Sequence, residues 1–401
     1  VLLHALVSIA ERTTFAPVVA LHVNHGLQPE ADDWETHCRD VAATLGVGFK
    51  SLAAAIDTAA DCGPEAAARQ ARYDVLRSCV VSGDCLLSAH HENDQAETLL
   101  LNLMRGSGVS GLAGIGTSQA FGAGHLLRPL LGVPVAALRE YAQRKTLRWV
   151  DDPSNEEQRF DRNFVRKQVI PLLAERWPAA AGGLRRSAEL AAETGALLAS
   201  LAELDLATAG APERLSIDAI VALSEPRQRN LLRYAIHRCG LPTPPATRLQ
   251  QVLHELLPAR PDAQPLVRWP GAEVRRYRDW LYLMPPLDDQ SLPSNAALSI
   301  DEPLDLGPEL GCLRLEKSAD FGIPEAIARK GLAVRFREGG ERIRPLHGAH
   351  SQALRKLMQD AAIVPWMRHR IPLCYAGDEL VAVADLWLAE RFAEQAGFAL
   401  R

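Results

Sequence analysis

The chain has 401 residues, 47% hydrophobic and 23% charged, with a net charge of −5. Such composition is globular and the length predicts two or three domains; a uniformly basic nucleic-acid coat is excluded, a local basic face is not. The seven cysteines are scattered without a CxxC pair, which excludes a thiolate zinc cluster and reads as reduced thiols in a cytoplasmic protein.

Up to about residue 180 helices and strands alternate. A helical pattern (Val1–Arg12) lacks the basic start and cleavage site of a signal peptide. A β-branched strand follows (Pro17–Val23), then a helix (Pro29–Leu45) with proline in its first turn and acids Glu30, Asp32, Asp33 and Glu35 at its positive end. Strand Gly48–Leu52, helix Pro64–Val80, strand Cys85–Ala89 and helix Glu92–Met104 continue the series, predicting βαβ units and a largely parallel sheet. Beyond residue 180 the pattern turns helical (Gly183–Ala202, Ile217–Cys239, Thr247–Leu257), with a hairpin around Gly271 within Val267–Met284 and a linker at Pro285–Ser294. The last hundred residues hold short strands (Leu313–Glu316, Leu332–Phe336, Leu380–Ala384) around a helix, Gln352–Asp360. No apolar run approaches the ~20 residues of a membrane span, so no membrane partner is expected.

Three polar clusters ask for a chemical explanation. At the end of the first strand lies His22-Val23-Asn24-His25-Gly26, where the backbone of His25 and Gly26 could bracket a nucleotide base or simply turn. At the end of strand Cys85–Ala89, ten residues hold His90, His91, Glu92, Asn93, Asp94, Gln95 and Glu97, and carboxyl ends of strands are where open α/β sheets bind ligands. Asp94, Glu97, Leu101 and Arg105 follow one another at spacings of 3, 4 and 4, which puts both acids on one helical stripe. A helix N-terminus suits phosphate, and the acids suit a divalent cation or an amine. Capping alone would explain the acids but not the adjacent histidines; a zinc site lacks a third ligand at a suitable spacing. The third cluster joins Arg69-Gln70-Ala71-Arg72-Tyr73, Asp151-Asp152-Pro153-Ser154-Asn155 and Asp161-Arg162-Asn163-Phe164-Val165-Arg166. Its i,i+4 arginines suit phosphate or an RNA backbone, or internal salt bridges.

The ordered set His22–Leu27, QARY (Gln70–Tyr73), HHENDQAET (His90–Thr98), RGSG (Arg105–Gly108), RPLL (Arg128–Leu131), DDPSN (Asp151–Asn155) and DRNFVR (Asp161–Arg166) resembles the PP-loop ATP pyrophosphatase superfamily. GGERIRP (Gly339–Pro345), LRKLMQD (Leu354–Asp360) and VPWMRHRIPL (Val364–Leu373) narrow the resemblance to the bacterial tRNA(Ile)-lysidine synthetase family. It implies an α/β fold: a Rossmann-like parallel-sheet PP-loop domain (1–180), a helical tRNA- or substrate-binding domain (181–290) and a small α+β C-terminal tRNA-binding domain (295–401). It further implies that ATP adenylates the 2-carbonyl oxygen of the wobble cytidine in a CAU anticodon, and that free L-lysine then displaces AMP. Asp94, Glu97 and His90 would be catalytic, with Mg²⁺ at Asp94. His22, His25, Gly26, His91, Arg162 and Arg166 would hold the nucleotide. Arg69, Arg72, Arg105, Arg342, Arg344, Arg355 and Lys356 would contact tRNA, and a homodimer is a further expectation.

The sequence departs from that family in two places. No SGGxDS phosphate loop occurs among the 401 residues; the expectation is that this loop and its strand are encoded upstream of Val1, and without them the chain would be a catalytically inactive tRNA-binding fragment. Asn93 stands where relatives often carry an acid, which weakens the metal expectation there. A PP-loop thiolase or amidotransferase-type synthetase is the third alternative, disfavoured by the lack of cysteine pairs. Independent support for RNA comes from residues 329–370, where ten Lys/Arg face three Asp/Glu, the charge needed to neutralise phosphates. Phe336 and Trp366 lie within this stretch and could stack on an unpaired base or belong to the core.

Overall fold

A computed structural model of the chain describes residues 1–10, 17–24, 29–54, 64–153, 157, 159–260, 263–287, 296–307 and 310–401. They divide into two compact units, Val1–Ser200 and Leu201–Arg401. Among the described residues no helix is long and apolar enough to cross a membrane.

The first unit begins with α1 (Leu2–Ala10), β1 (Val19–Asn24), α2 (Ala31–Thr44), β2 (Gly48–Ala53) and α3 (Pro64–Ser78). β1 and β2 run parallel, from Val19 opposite Gly48 to Asn24 opposite Ala53, as a strand–helix–strand crossover requires. Next come β3 (Cys85–Leu87), α4 (Glu92–Met104), the short α5 (Val109–Leu112), β4 (Ser118–Phe121) and β5 (Gly124–Leu127). β3 is parallel to β5, whereas β4 and β5 form an antiparallel hairpin. This three-stranded sheet is therefore mixed, whereas the β1–β2 pair is parallel throughout. The hairpin turn uses Gly122 at φ +57°, where a Cβ would sit 2.6 Å from the Arg77 carbonyl; only glycine fits there.

Helix α6 (Val135–Arg144) leads to α7 (Asp161–Phe164), which passes through a π-helical turn at Val165–Val169 into α8 (Ile170–Arg176). Ala96 of α4 packs with Val165 and Ile170 in a small core. That contact presses the α7–α8 segment against the polar face of α4. Helix α9 (Ala180–Ala209) follows and ends in the second unit.

In the second unit β6 (Gly210–Ala211), β7 (Arg214–Ser216), β8 (Leu266–Trp269), β9 (Ala272–Tyr277) and β10 (Trp280–Met284) form one antiparallel sheet ordered 6-7-10-9-8. Leu231, Leu232 and Leu256 from its helices pack on Val274 and Leu281. The region is helical as expected, and its expected hairpin belongs to a five-stranded sheet that the sequence did not show. The expected single helix Ile217–Cys239 is two, Ile217–Val221 and Glu225–Arg238, because Pro226 can start a helix but not continue one. The hairpin around Gly271 gains a third strand through a turn at Arg278, which adopts φ 53° without a glycine.

A second five-stranded sheet, Ala296–Leu298, Leu332–Arg335, Leu373–Ala376, Glu379–Val383 and Trp387–Leu388 in that order, builds the C-terminal region. Its helix is Leu354–Asp360. Trp366 is 6% exposed. Its ring stands edge-on to Tyr282 and Tyr277, at centroid distances of 5.2 and 6.3 Å, with the Arg275 guanidinium 5.2 Å from its centroid. Trp366 is thus a packing residue that joins the two sheets of this unit, not a platform for a base.

Candidate active site

The site forms where β3 hands over to α4. His91 is extended at φ −128°, ψ −177°, and its N–H donates to Asp94 Oδ2 at 2.9 Å. This bond caps the helix and fixes the Asp94 carboxylate one turn in. Gln95 is buried and clamps the loop after α5: its amide donates to the Ala113 and Ile115 carbonyls, and the Ile115 N–H donates back at 2.6 Å. Glu92 is buried as well and accepts from Arg185 Nε of α9 at 3.2 Å. The sequence places Glu92 and Gln95 in this polar cluster but assigns neither a role, because their partners Arg185, Ala113 and Ile115 are remote in the chain.

Asp94 and Glu97 lie on one stripe, as the spacing predicts. Both meet Arg162 and Arg166. Arg162 Nε donates to Glu97 Oε2 at 2.7 Å and its terminal nitrogen to Asp94 Oδ1 at 3.1 Å. Arg166 Nε donates to Glu97 Oε1 at 2.7 Å. Glu97 is fully buried, while the side chain of Asp94 is 13% exposed and those of the arginines about one third. Two anions and two cations form one compact, charge-balanced cluster, and the Glu97 and Asp94 contacts hold the Arg166 guanidinium above its ordinary range against the cost of burial. Arg166 lies in the π-helical turn Val165–Val169, a feature often found at functional sites.

His90 Nδ1 lies 2.8 Å from Ser88 Oγ. Burial pushes its imidazole down from 6.5 to about 4; Asp94 opposes this, and Arg128, Arg162 and Arg69 reinforce it. The ring is therefore neutral near pH 7 and can offer a hydrogen bond, not a positive charge, to a phosphate. Arg69 belongs to the same electrostatic neighbourhood. It and Arg72 are exposed on α3 with their guanidinium groups against the Tyr73 ring.

The remaining sequence-predicted residues are placed as follows. His22 is half-buried on β1 opposite Ser51, while His25, Gly26 and part of the DDPSN segment lie outside the described residues. Arg105 caps the far end of α4, about 16 Å from Asp94 at 1.5 Å per residue, so the structure does not bring it to the cluster. Arg342, Arg344, Arg355 and Lys356 are exposed in the second unit. A resident Mg²⁺ does not fit Asp94 as placed: Oδ1 faces Arg162 and Oδ2 faces the His91 N–H. Among the described residues no group of three His, Cys, Asp or Glu side chains is arranged to hold a metal ion.

Parallel strand pairs with a polar helix N-terminus at a strand end make an α/β unit of the kind that binds ligands at its strand ends, and its family match places it in the PP-loop class. Residues 1–173 match the PP-loop domain family, 215–282 the TilS substrate binding domain and 332–400 the TilS substrate C-terminal domain. The tRNA(Ile)-lysidine synthase of Alkalilimnicola ehrlichii is 43% identical, the match covering 100% of this chain and 90% of that protein. That of Methylococcus capsulatus is 42% identical (94% and 87% covered) and that of Coxiella burnetii 38% (98% and 87%). The chain belongs to the tRNA(Ile)-lysidine synthase family of ligases.

Proposed function

We propose that this protein joins L-lysine to the 2-position of the wobble cytidine in a CAU-anticodon tRNA(Ile), through an adenylated cytidine, giving lysidine. The observation that supports the reading most directly is the Asp94–Glu97–Arg162–Arg166 cluster at the start of α4, in a chain of this family. A carbonyl oxygen leaves poorly until it is esterified to phosphate, which is what ATP supplies. Asp94, the more exposed carboxylate, receives the lysine ammonium, and the amine displaces guanidinium contacts to reach it. Glu97, buried and bridged by both arginines, is the positioning residue. Released guanidinium groups and the neutral His90 then face phosphate oxygens, with Mg²⁺ entering only as the counter-ion of ATP.

In this reading 1–180 is the catalytic domain, and 181–290 and 295–401 carry the tRNA. The protein is expected to release pyrophosphate only with a CAU-anticodon tRNA(Ile), and to turn over with release of AMP only when L-lysine is present as well. Release that ignores the anticodon would overturn the proposal.

A further inference from the structure

We propose that the cleft of about 590 Å³ lined by Arg335, Phe336, Gly340, Glu341, Arg342 and Tyr375 is a subsite for one unpaired ribonucleotide of the RNA substrate. The proposal rests on the tRNA reading above and names a place for an extruded nucleotide within the C-terminal region.

The cleft lies beside the strand Leu332–Arg335, where it pairs antiparallel with Leu373–Ala376. The Arg335 guanidinium lies over the Tyr375 ring, 4.9 Å from its centroid, while the side chain stays 41% exposed. A planar cation supported on one side by an aromatic ring offers its other plane to a base, and guanidinium planes are a recognised platform for unstacked RNA bases.

The opposite wall is a loop held in place from within. Glu341 Oε1 accepts the N–H groups of Glu338 and Gly339 at 2.7 and 2.6 Å. Gly339 and Gly340 take φ of +115° and +88°, and a Cβ at either would meet nothing within 4 Å, so the loop bends without filling the cleft. The Glu341 side chain is 10% exposed, and its Oε2 pairs with Arg337 Nε at 3.3 Å, a second tie within the loop. The cleft therefore combines a stacking plane with the exposed Arg342 for a phosphate. Exposed acids Glu338 and Asp378 at the rim suit ribose hydroxyls. A base, a phosphate and a 2′-hydroxyl on one ligand satisfy all of these; a bare phosphate or a duplex backbone does not.

Arg335→Lys keeps the charge and removes the plane, at a surface position where folding is undemanding. Titration of the full chain with a CAU-anticodon tRNA(Ile) transcript should show Arg335→Lys binding about fivefold more weakly than wild type, close to Arg335→Ala, with Tyr375→Leu similar. A transcript carrying 4-thiouridine should crosslink to peptides containing Phe336 or Tyr375 from an unpaired position. Arg335→Lys that binds like wild type, or crosslinks only from duplex positions, would overturn the subsite while leaving the tRNA reading intact. Wild-type protein that fails to bind the transcript would overturn both.

Discussion

Arg162 reaches across 65 residues of sequence to place its Nε 2.7 Å from Glu97. The pair ties α7 to α4 and, with Arg166, leaves the buried carboxylate facing two guanidinium groups. Glu97→Gln keeps the shape and removes the charge that both arginines face. The variant should lose about 2 kcal/mol of stability, less than a fully buried pair because the arginines reach solvent. Chemical denaturation of the two proteins in parallel measures this; equal midpoints would show that the arginines repack without cost.

His90 sets a pH dependence whose sign follows from burial. Its folded-state value of about 4 lies below the ordinary 6.5, so the unfolded chain binds a proton in that interval that the folded chain refuses. Its contribution to stability is complete above pH 6.5 and is lost as pH falls toward 4. His90→Gln should flatten the fall in melting temperature across this window. An unchanged slope would assign the acid sensitivity to other groups.

Gly114 is held at φ +61°, and a Cβ there would meet Gln95 Oε1 at 2.6 Å. Gly114→Ala should therefore cost about 1–3 kcal/mol, through backbone strain and loss of the amide clamp on the loop after α5. Calorimetry of the variant tests it. A neutral substitution would mean that Gln95 does not hold this loop.

Trp366→Ala empties a site packed against Tyr277 and Tyr282 and should cost about 3–5 kcal/mol. Trp366→Phe should retain most of that stability and leave tRNA affinity unchanged, since the ring is covered. Weakened RNA binding by a stable Trp366→Phe would contradict the packing role.

Helix α4 was legible from the sequence with its observed bounds, Glu92–Met104, because a polar strand end, an acidic first turn and a closing Arg-Gly mark it. The helical stripe of Asp94 and Glu97 followed from spacing alone. The partners did not: nothing local links Asp94 to Arg162, and the arginines read equally well as phosphate ligands or internal salt bridges. The β4–β5 hairpin was missed because its turn residues lie between short, weakly patterned runs. The strand Trp280–Met284 was merged with its neighbour since Arg278, not a glycine, makes the turn. The C-terminal basic run predicted the charge of that surface but could not separate Trp366, which is packed away, from Phe336, which lines a cleft.

The most direct test of the proposed chemistry separates adenylation from lysine transfer in Asp94→Asn. With a CAU-anticodon tRNA(Ile), the full-length wild-type protein should incorporate labelled L-lysine. The variant should lose about 10²-fold in that transfer yet still exchange pyrophosphate with ATP in the presence of tRNA. Asp94→Asn that transfers lysine at the wild-type rate would contradict the assignment of this carboxylate to the attacking amine.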